Sequence, residues 1–141
     1  MNAHIVLPNL SYKINGALFK AHRKFGRFEK EKVYQNYLVG EINKLGLNCD
    51  REVRIETEVY GKKVISFIDL VVERFIALEL KSSSQLFSSS YLDQIKSYLS
   101  AAKLPLGFLV NFHSLQIRPI RILNPDFKDM DLTEIDVKYN R

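Results

Sequence analysis

Three ionisable residues interrupt stretches that otherwise have the composition of buried strands. Asp69 lies within the apolar run 65–72, and Glu79 and Lys81 lie within the run 77–81. Burying an ionisable group costs free energy unless the group is paired or binds a cation. The positions of these three residues therefore require a chemical explanation.

The spacing of the three residues predicts that their side chains meet. In a strand, residues two apart point to the same face, so Glu79 and Lys81 project together. If 73–75 forms a three-residue loop between antiparallel strands, Asp69 lies directly opposite Glu79 and on the same face. Two carboxylates held this close repel each other unless a proton or a cation lies between them.

A hard divalent cation suits this pattern. Mg²⁺ commonly takes one or two carboxylates, with water and a substrate phosphate completing its coordination. Asp69 and Glu79 match that role, the carbonyl of Leu80 is a further candidate ligand, and Lys81 would hold or deprotonate the attacking water or stabilise charge on the phosphate. The alternative is a solvated strand face with Asp69 paired to a base, and the three residues alone do not separate the two interpretations.

The surrounding periodicity predicts the elements that position these residues. The second helix places Glu31 on the same face as Tyr34 and Leu38, which is the face expected to meet the core. The predicted order is helices at about 11–26, with Ser11 as N-cap, and 28–46; strands at 52–60, 64–72 and 76–81; a helix at 91–102; and strands at 106–112 and 115–123.

This order, α-α-β-β-β-α-β-β, predicts an α/β fold with a central mixed sheet flanked by helices in three layers. The central strands are nearly continuous in apolar residues, so both faces of the sheet should be covered, and the helix at 91–102 is expected to serve as a crossover between strands. We expect one domain over 1–123, because too few residues follow the serine-rich stretch 82–90 for a second core. The polar segment 124–141 is expected to be an extension, either a short strand or a loose tail.

Composition limits the function classes. The 141 residues are 46% apolar and 26% charged, as in an ordinary globular protein. The single cysteine, Cys49, excludes an intrachain disulfide and argues against structural zinc, which agrees with a cytoplasmic setting. No apolar run approaches membrane-spanning length. The net charge of +5 slightly favours a polyanionic partner.

Asp69, followed after nine residues by Glu79-Leu80-Lys81, resembles the active site of the PD-(D/E)XK nuclease superfamily. More narrowly, the chain resembles the small bacterial and archaeal GxxExxY proteins of that superfamily. The motif glycine falls at Phe28, whereas its glutamate and tyrosine are present as Glu31 and Tyr34. The lost glycine should alter the turn between the helices more than the chemistry. Further likeness is found at 14–17, 21–26, 94–99 and 107–112, and it extends over about 12–123.

The resemblance implies a restriction-endonuclease-like fold and Mg²⁺- or Mn²⁺-dependent hydrolysis of phosphodiesters, in DNA more than in RNA. It implies that Glu31 completes the metal shell, the alternative being an exposed carboxylate paired with Lys24 or Lys32. Gln94 and Tyr98 match a Q-x-x-x-Y element whose glutamine lies near the metal and whose aromatic ring lies near the nucleic acid. Their alternative is a buried amide and a core tyrosine.

Two auxiliary residues and two questions of function remain open at this point. Tyr34 is a candidate auxiliary residue, and so is His22, although the position of His22 on an apolar stripe favours a hydrogen-bonded core histidine. The alternative to catalysis is a nucleic-acid or protein-binding module that keeps the fold without turnover. A homodimer or larger assembly is also open, since two copies would supply two sites for a duplex.

Overall fold

A five-stranded sheet separates two layers of helix in the computed structural model, which describes residues 6–127 and 131–140. The order α-α-β-β-β-α-β-β is confirmed, and a short helix follows it. The elements are α1 (Pro8–Phe25), α2 (Glu31–Lys44), β1 (Cys49–Val59), β2 (Lys62–Val72), β3 (Ile76–Lys81), α3 (Ser89–Ala102), β4 (Leu106–Asn111), β5 (Ile120–Leu123) and α4 (Thr133–Asp136), with 3₁₀ turns at Pro125–Phe127 and Val137–Tyr139.

The sheet is mixed, as predicted. Its strand order is β1-β2-β3-β4-β5, and every neighbouring pair is antiparallel except β3 and β4, which run parallel. The parallel pair requires a crossover, and α3 supplies it. None of the helices in the described part of the chain is long and apolar enough to cross a membrane.

Each face of the sheet packs on its own hydrophobic core, which confirms that both faces are covered. The layer of α1 and α2 buries one set of side chains and α3 buries the other. The first core includes Leu10, Ile14, Leu38, Leu78 and Phe108, and the second includes Ile68, Val71, Ile95, Leu99 and Leu109. Burying such residues provides most of the free energy that holds the three layers together.

The start of α1 differs from the prediction. Ser11 is not the N-cap, because the helix already begins at Pro8, and proline is well tolerated in the first turn. The carboxylate of Asp136 accepts hydrogen bonds from the backbone N–H groups of Asn9 at 2.8 Å and Leu10 at 2.9 Å. These bonds satisfy helix donors that have no partner within the helix.

Asp136 belongs to the segment that was expected to be a short strand or a loose tail. Its described residues instead form α4 and two 3₁₀ turns, and Leu132, Asp136 and Tyr139 are buried. The remainder of this segment, residues 128–130 and 141, lies outside the described part of the chain, and so do residues 1–5 at the other end of the predicted domain. The domain boundary at 123 stays a prediction. The last strand is also shorter than expected, since β5 begins at Ile120.

The β1–β2 hairpin extends beyond β3, the strand that pairs with β2. Strand β3 pairs with β2 only from Leu70 to Val72, in the predicted register. Continuing that register places Asp69 opposite Glu79, at the point where the two strands separate. On the other side of β2, Glu52 of β1 is opposite Asp69, and it has a left-handed φ of 51° and no partner in the pairing.

Candidate active site

Asp69 and Glu79 meet where β2 and β3 separate. An Asp69 carboxylate oxygen, Oδ2, accepts a hydrogen bond from the backbone N–H of Leu80 at 2.8 Å, and the Asp69 N–H donates to Glu79 Oε1 at 3.3 Å. The side chains of Asp69 and Glu79 thus accept hydrogen bonds from backbone N–H groups that would otherwise bond to backbone carbonyls of the neighbouring strand. Glu79 is only 7% exposed and Asp69 is half-buried, so the structure brings together the two acids that the spacing predicted would meet.

Burial disfavours the ionised form of both carboxyl groups. The pKa of Glu79 is raised to about 8, first by burial and then by the neighbouring charge of Asp69, against the opposing effects of the Asp69 N–H and Lys81. The pKa of Asp69 is also raised, first by burial and then by the charges of Glu31 and Glu52, against the opposing effect of the Leu80 N–H. Two such groups side by side favour either a shared proton or a bound cation.

A cleft of about 140 Å³ opens beside these acids, and we call it the acidic cleft. Helix α2 supplies one wall, and β1, β2 and β3 supply the other. Its lining residues are Glu31, Lys32, Gln35, Glu52, Asp69 and Leu80. The cleft therefore contains three of the predicted site residues, Glu31, Asp69 and Leu80, whereas Glu79 is buried next to Asp69.

Glu52 is a fourth carboxylate at the site, and sequence reasoning missed it. The alternating pattern of 52–60 placed Glu52 on a solvated strand face. The two-residue turn at Tyr60 and Gly61 sets the pairing of β1 with β2, and that register places Glu52 opposite Asp69. The turn was thus the signal in the sequence that could have identified Glu52.

Lys81 lies in a neighbouring cavity of about 300 Å³, which it shares with Glu31 and Tyr91. Its ammonium nitrogen Nζ is 4.9 Å from the centre of the Tyr91 ring. Burial lowers the pKa of Lys81, but a hydrogen bond with Tyr91 and the charges of Glu31 and Glu79 outweigh it and raise the pKa above its usual value. Lys81 is therefore a cation at neutral pH. Tyr91 was not among the predicted site residues.

Tyr34 and His22 make core contacts instead of facing the acidic cleft. The Tyr34 hydroxyl donates to the carbonyl of Gly26 at 2.5 Å, and its fully buried ring stacks on Phe112 with the ring centres 4.0 Å apart. His22 Nε2 is 2.9 Å from the carbonyl oxygen of Ser114. For His22 this is the hydrogen-bonded arrangement that was weighed against a site role.

Gln94 and Tyr98 lie in another part of the molecule. Both line a groove between α3 and the β1–β2 hairpin, and Gln94 is exposed instead of being a buried amide. Neither side chain is among the residues that line the acidic cleft or the cavity of Lys81 and Tyr91. The structure does not bring Gln94 together with Asp69 and Glu79.

The carboxylates at this site suit a hard cation, although they do not form a complete coordination shell. Among residues 6–127 and 131–140, no three His, Cys, Asp or Glu side chains are grouped closely enough to hold one metal ion. The predicted shell of Glu31, Asp69 and Glu79 is therefore incomplete, with Asp69 and Glu79 adjacent and Glu31 elsewhere on the cleft. Mg²⁺ needs only one or two carboxylates beside water and phosphate, so the adjacent pair still fits it.

Comparison with known proteins gives a family match and structural matches. The family model described as the PD-(D/E)XK nuclease superfamily matches residues 8–122. A solved structure titled "Crystal structure of SSO0001" matches with 21% sequence identity over 96% of this chain and 83% of its own, with a TM-score of 0.45. The chain has no match among curated proteins.

Proposed function

The chain belongs to the PD-(D/E)XK nuclease superfamily, and from this premise we propose that it is a metal-dependent nuclease that hydrolyses phosphodiester bonds. The matched region runs from α1 to β5 and includes Glu31, Asp69, Glu79 and Lys81. The observation that carries the proposal is the meeting of two buried acids, Asp69 and Glu79, where β2 and β3 separate beside the acidic cleft.

Asp69 and Glu79 are the proposed holders of Mg²⁺ or Mn²⁺, with Glu31 and the Leu80 carbonyl as further candidates. Bound at these groups, the cation would polarise the phosphodiester and neutralise its charge. The Leu80 N–H fixes one Asp69 oxygen, which leaves the other oxygen of this carboxylate available to a ligand. Since Glu79 has a pKa of about 8, it must lose a proton when it binds the cation near neutral pH.

Lys81 is the proposed stabiliser of charge on the phosphate. Its raised pKa keeps the ammonium protonated at neutral pH, which suits electrostatic stabilisation of the transition state and disfavours a general base. The Tyr91 ring beneath the ammonium restricts where the Lys81 side chain can point. We assign no catalytic role to Gln94, Tyr98, His22 or Tyr34, because their contacts lie elsewhere.

We further propose that the chain is a GxxExxY protein and that DNA is its substrate more than RNA. Glu31 and Tyr34 match the motif, and Phe28 replaces its glycine. Phe28 is 77% exposed, and the Arg27 guanidinium lies 5.1 Å from the centre of its ring. The turn between α1 and α2 thus accepts a large side chain here without burying it. The cytoplasmic location and the homodimer or larger assembly stay predictions.

The second candidate is a nucleic-acid or protein-binding module without turnover. The incomplete grouping of acids favours it, since Glu31 is not close enough to Asp69 and Glu79 to complete a three-carboxylate set. The two candidates differ in one respect that can be measured. A nuclease converts its substrate in the presence of Mg²⁺, whereas a module binds its partner without converting it.

Cleavage assays separate the two candidates. The protein is incubated with single-stranded, duplex and branched DNA and with RNA, in Mg²⁺, Mn²⁺ or EDTA. Asp69→Asn and Lys81→Met are compared with the wild type, and Glu56→Gln on β1 serves as the control. We expect metal-dependent cleavage that both site variants abolish and the control retains. Cleavage that survives both site substitutions would remove this site from consideration, and binding without cleavage would favour the module.

A further inference from the structure

Gln35 is a buried amide that bridges two elements of the acidic cleft. It lies on α2 one turn after Glu31 and is 4% exposed. Its side-chain nitrogen Nε2 donates to the backbone carbonyl of Asp69 at 2.9 Å and to Glu52 Oε1 at 3.1 Å. Its oxygen Oε1 accepts from Lys32 Nζ at 3.2 Å. Both amide hydrogens are thus used on the strands that form the cleft.

The chemistry of the partners fixes the orientation of this amide. A backbone carbonyl and an ionised carboxylate only accept hydrogen bonds, and the Lys32 ammonium only donates. The NH₂ group must therefore face Asp69 and Glu52, and the oxygen must face Lys32. A methionine of similar length would keep the shape but lose both donors, and the Asp69 carbonyl and the Glu52 carboxylate would each lose this bond.

The backbone conformation of Glu52 explains why the hydrogen bond from Gln35 is needed. Its φ of 51° is in the left-handed region, which a residue other than glycine occupies only at a cost in free energy. The neighbouring pairs, Arg51 with Leu70 and Val53 with Ile68, keep their register, and only Glu52 opposite Asp69 is left out. The distortion is therefore local to the one position of β1 that lines the cleft.

Glu52 is also held by charge. Its Oε1 is 3.8 Å from Lys32 Nζ, and its side chain remains 47% exposed. An exposed ion pair of this kind contributes little to stability. Its carboxylate can therefore turn to a stronger positive charge. A divalent cation in the cleft would offer Glu52 that stronger charge, while Gln35 keeps the carboxylate in place.

We propose that Gln35 is a positioning residue that holds Glu52 and the Asp69 backbone at the acidic cleft, and that the Glu52 carboxylate thereby adds negative charge that favours a divalent cation at Asp69 and Glu79. This inference rests on the proposed nuclease site. Gln35 acts only through Asp69 and Glu52. Hydrogen-bonding partners of metal ligands typically change metal affinity by about 10- to 100-fold when removed, and that is the effect expected here.

The test measures Mn²⁺ binding by calorimetry on the metal-free full chain, without nucleic acid. The site variants are Gln35→Met, which loses both donors, and Glu52→Gln, which can still accept from Gln35 but has no charge. Asn36→Met is the control on the same helix, and Glu56→Gln is the control on the same strand, where Glu56 pairs with Arg54 and Lys63. Thermal unfolding without metal reports the stability of each variant.

We expect each site variant to bind Mn²⁺ about 10- to 100-fold more weakly, as is typical for such partners, and each control to bind like the wild type. The double variant should bind about as weakly as the weaker single variant, because Gln35 acts partly through Glu52. At saturating Mn²⁺, cleavage by Gln35→Met should recover, which a general loss of structure would not allow. If Gln35→Met does not fold, Gln35→Asn is used, since its shorter side chain cannot span both partners.

Two results would overturn the inference in different ways. Wild-type affinity in folded Gln35→Met and in Glu52→Gln would show that neither residue serves cation binding, with the nuclease proposal intact. No Mn²⁺ binding by the wild type, together with no metal-dependent cleavage, would refute the nuclease proposal and with it this role of Gln35.

Discussion

Replacing Glu79 with glutamine should stabilise the metal-free protein at pH 8 and leave its stability at low pH nearly unchanged. The folded state holds a proton on Glu79 up to a pKa of about 8, against an ordinary value of 4.5. Between these two pH values the folded state therefore binds more protons than the unfolded state. Stability contributed by this group is fully present below pH 4.5 and is lost as pH rises through 8.

The magnitude follows from the size of the pKa shift. Each pKa unit corresponds to about 1.4 kcal/mol, so the shift of Glu79 implies a loss of about 4 kcal/mol by pH 8 as an upper value. A glutamine does not titrate and keeps an oxygen that can accept from the Asp69 N–H. The raised pKa of Asp69 acts in the same direction, so some pH dependence should remain in the Glu79→Gln protein.

Urea unfolding in EDTA at pH 5 and pH 8 measures this difference. The wild type should lose several kcal/mol more than Glu79→Gln between the two pH values, whereas Glu56→Gln should behave like the wild type. Adding Mg²⁺ at pH 8 should restore stability to the wild type by mass action. Parallel pH profiles for the wild type and Glu79→Gln would refute the conclusion that Glu79 is protonated in the folded protein.

Substitutions at three further positions give distinct outcomes. Tyr91→Leu should lower kcat by up to about 100-fold without changing Mn²⁺ affinity, because a misplaced catalytic group can cost that much. Tyr91→Phe should keep the ring contact with Lys81 and most of the rate. Asp136→Ala should destabilise the protein by about 1–2 kcal/mol in urea, because the first turn of α1 loses its acceptors. Tyr34→Phe should lower the free energy of unfolding by about 1 kcal/mol, because the hydrogen bond to the Gly26 carbonyl is lost. The cleavage rate should stay unchanged, and a large loss of rate would instead give Tyr34 a site role.

The pairing of Asp69 with Glu79 was predictable because local sequence determines it. The three-residue loop at 73–75 fixes the register of β2 against β3, and this register is independent of the rest of the fold. The same reasoning, applied to the turn at Tyr60 and Gly61, would have identified Glu52. Its left-handed backbone was not predictable, since no glycine or asparagine marks the position.

The positions of Gln94 and Tyr98 depend on tertiary packing that the sequence does not determine. Ile95 and Leu99 of α3 meet the sheet, but helical periodicity does not determine how far along the sheet the helix lies. Helix α3 packs beside the β1–β2 hairpin, so Gln94 faces the hairpin instead of the split between β2 and β3. A motif match alone could not reveal this displacement.

The segment after residue 123 shows another limit of sequence patterns. Its composition is polar, which suggested an extension without a core of its own. Leu132 and Tyr139 nevertheless join the core beneath α1 and α2, and Asp136 becomes the capping group of α1. These contacts join residues more than a hundred positions apart, and local periodicity cannot predict such long-range contacts.

The most direct test of the central claim is the location of Mn²⁺ in crystals grown with a short DNA strand that carries a cleavage-resistant phosphorothioate linkage. The proposed site predicts an anomalous Mn²⁺ peak within coordination distance of the Asp69 and Glu79 carboxylates, with an oxygen of the backbone phosphate as a further ligand. DNA bound elsewhere with no peak at these two carboxylates, at saturating Mn²⁺, would contradict it.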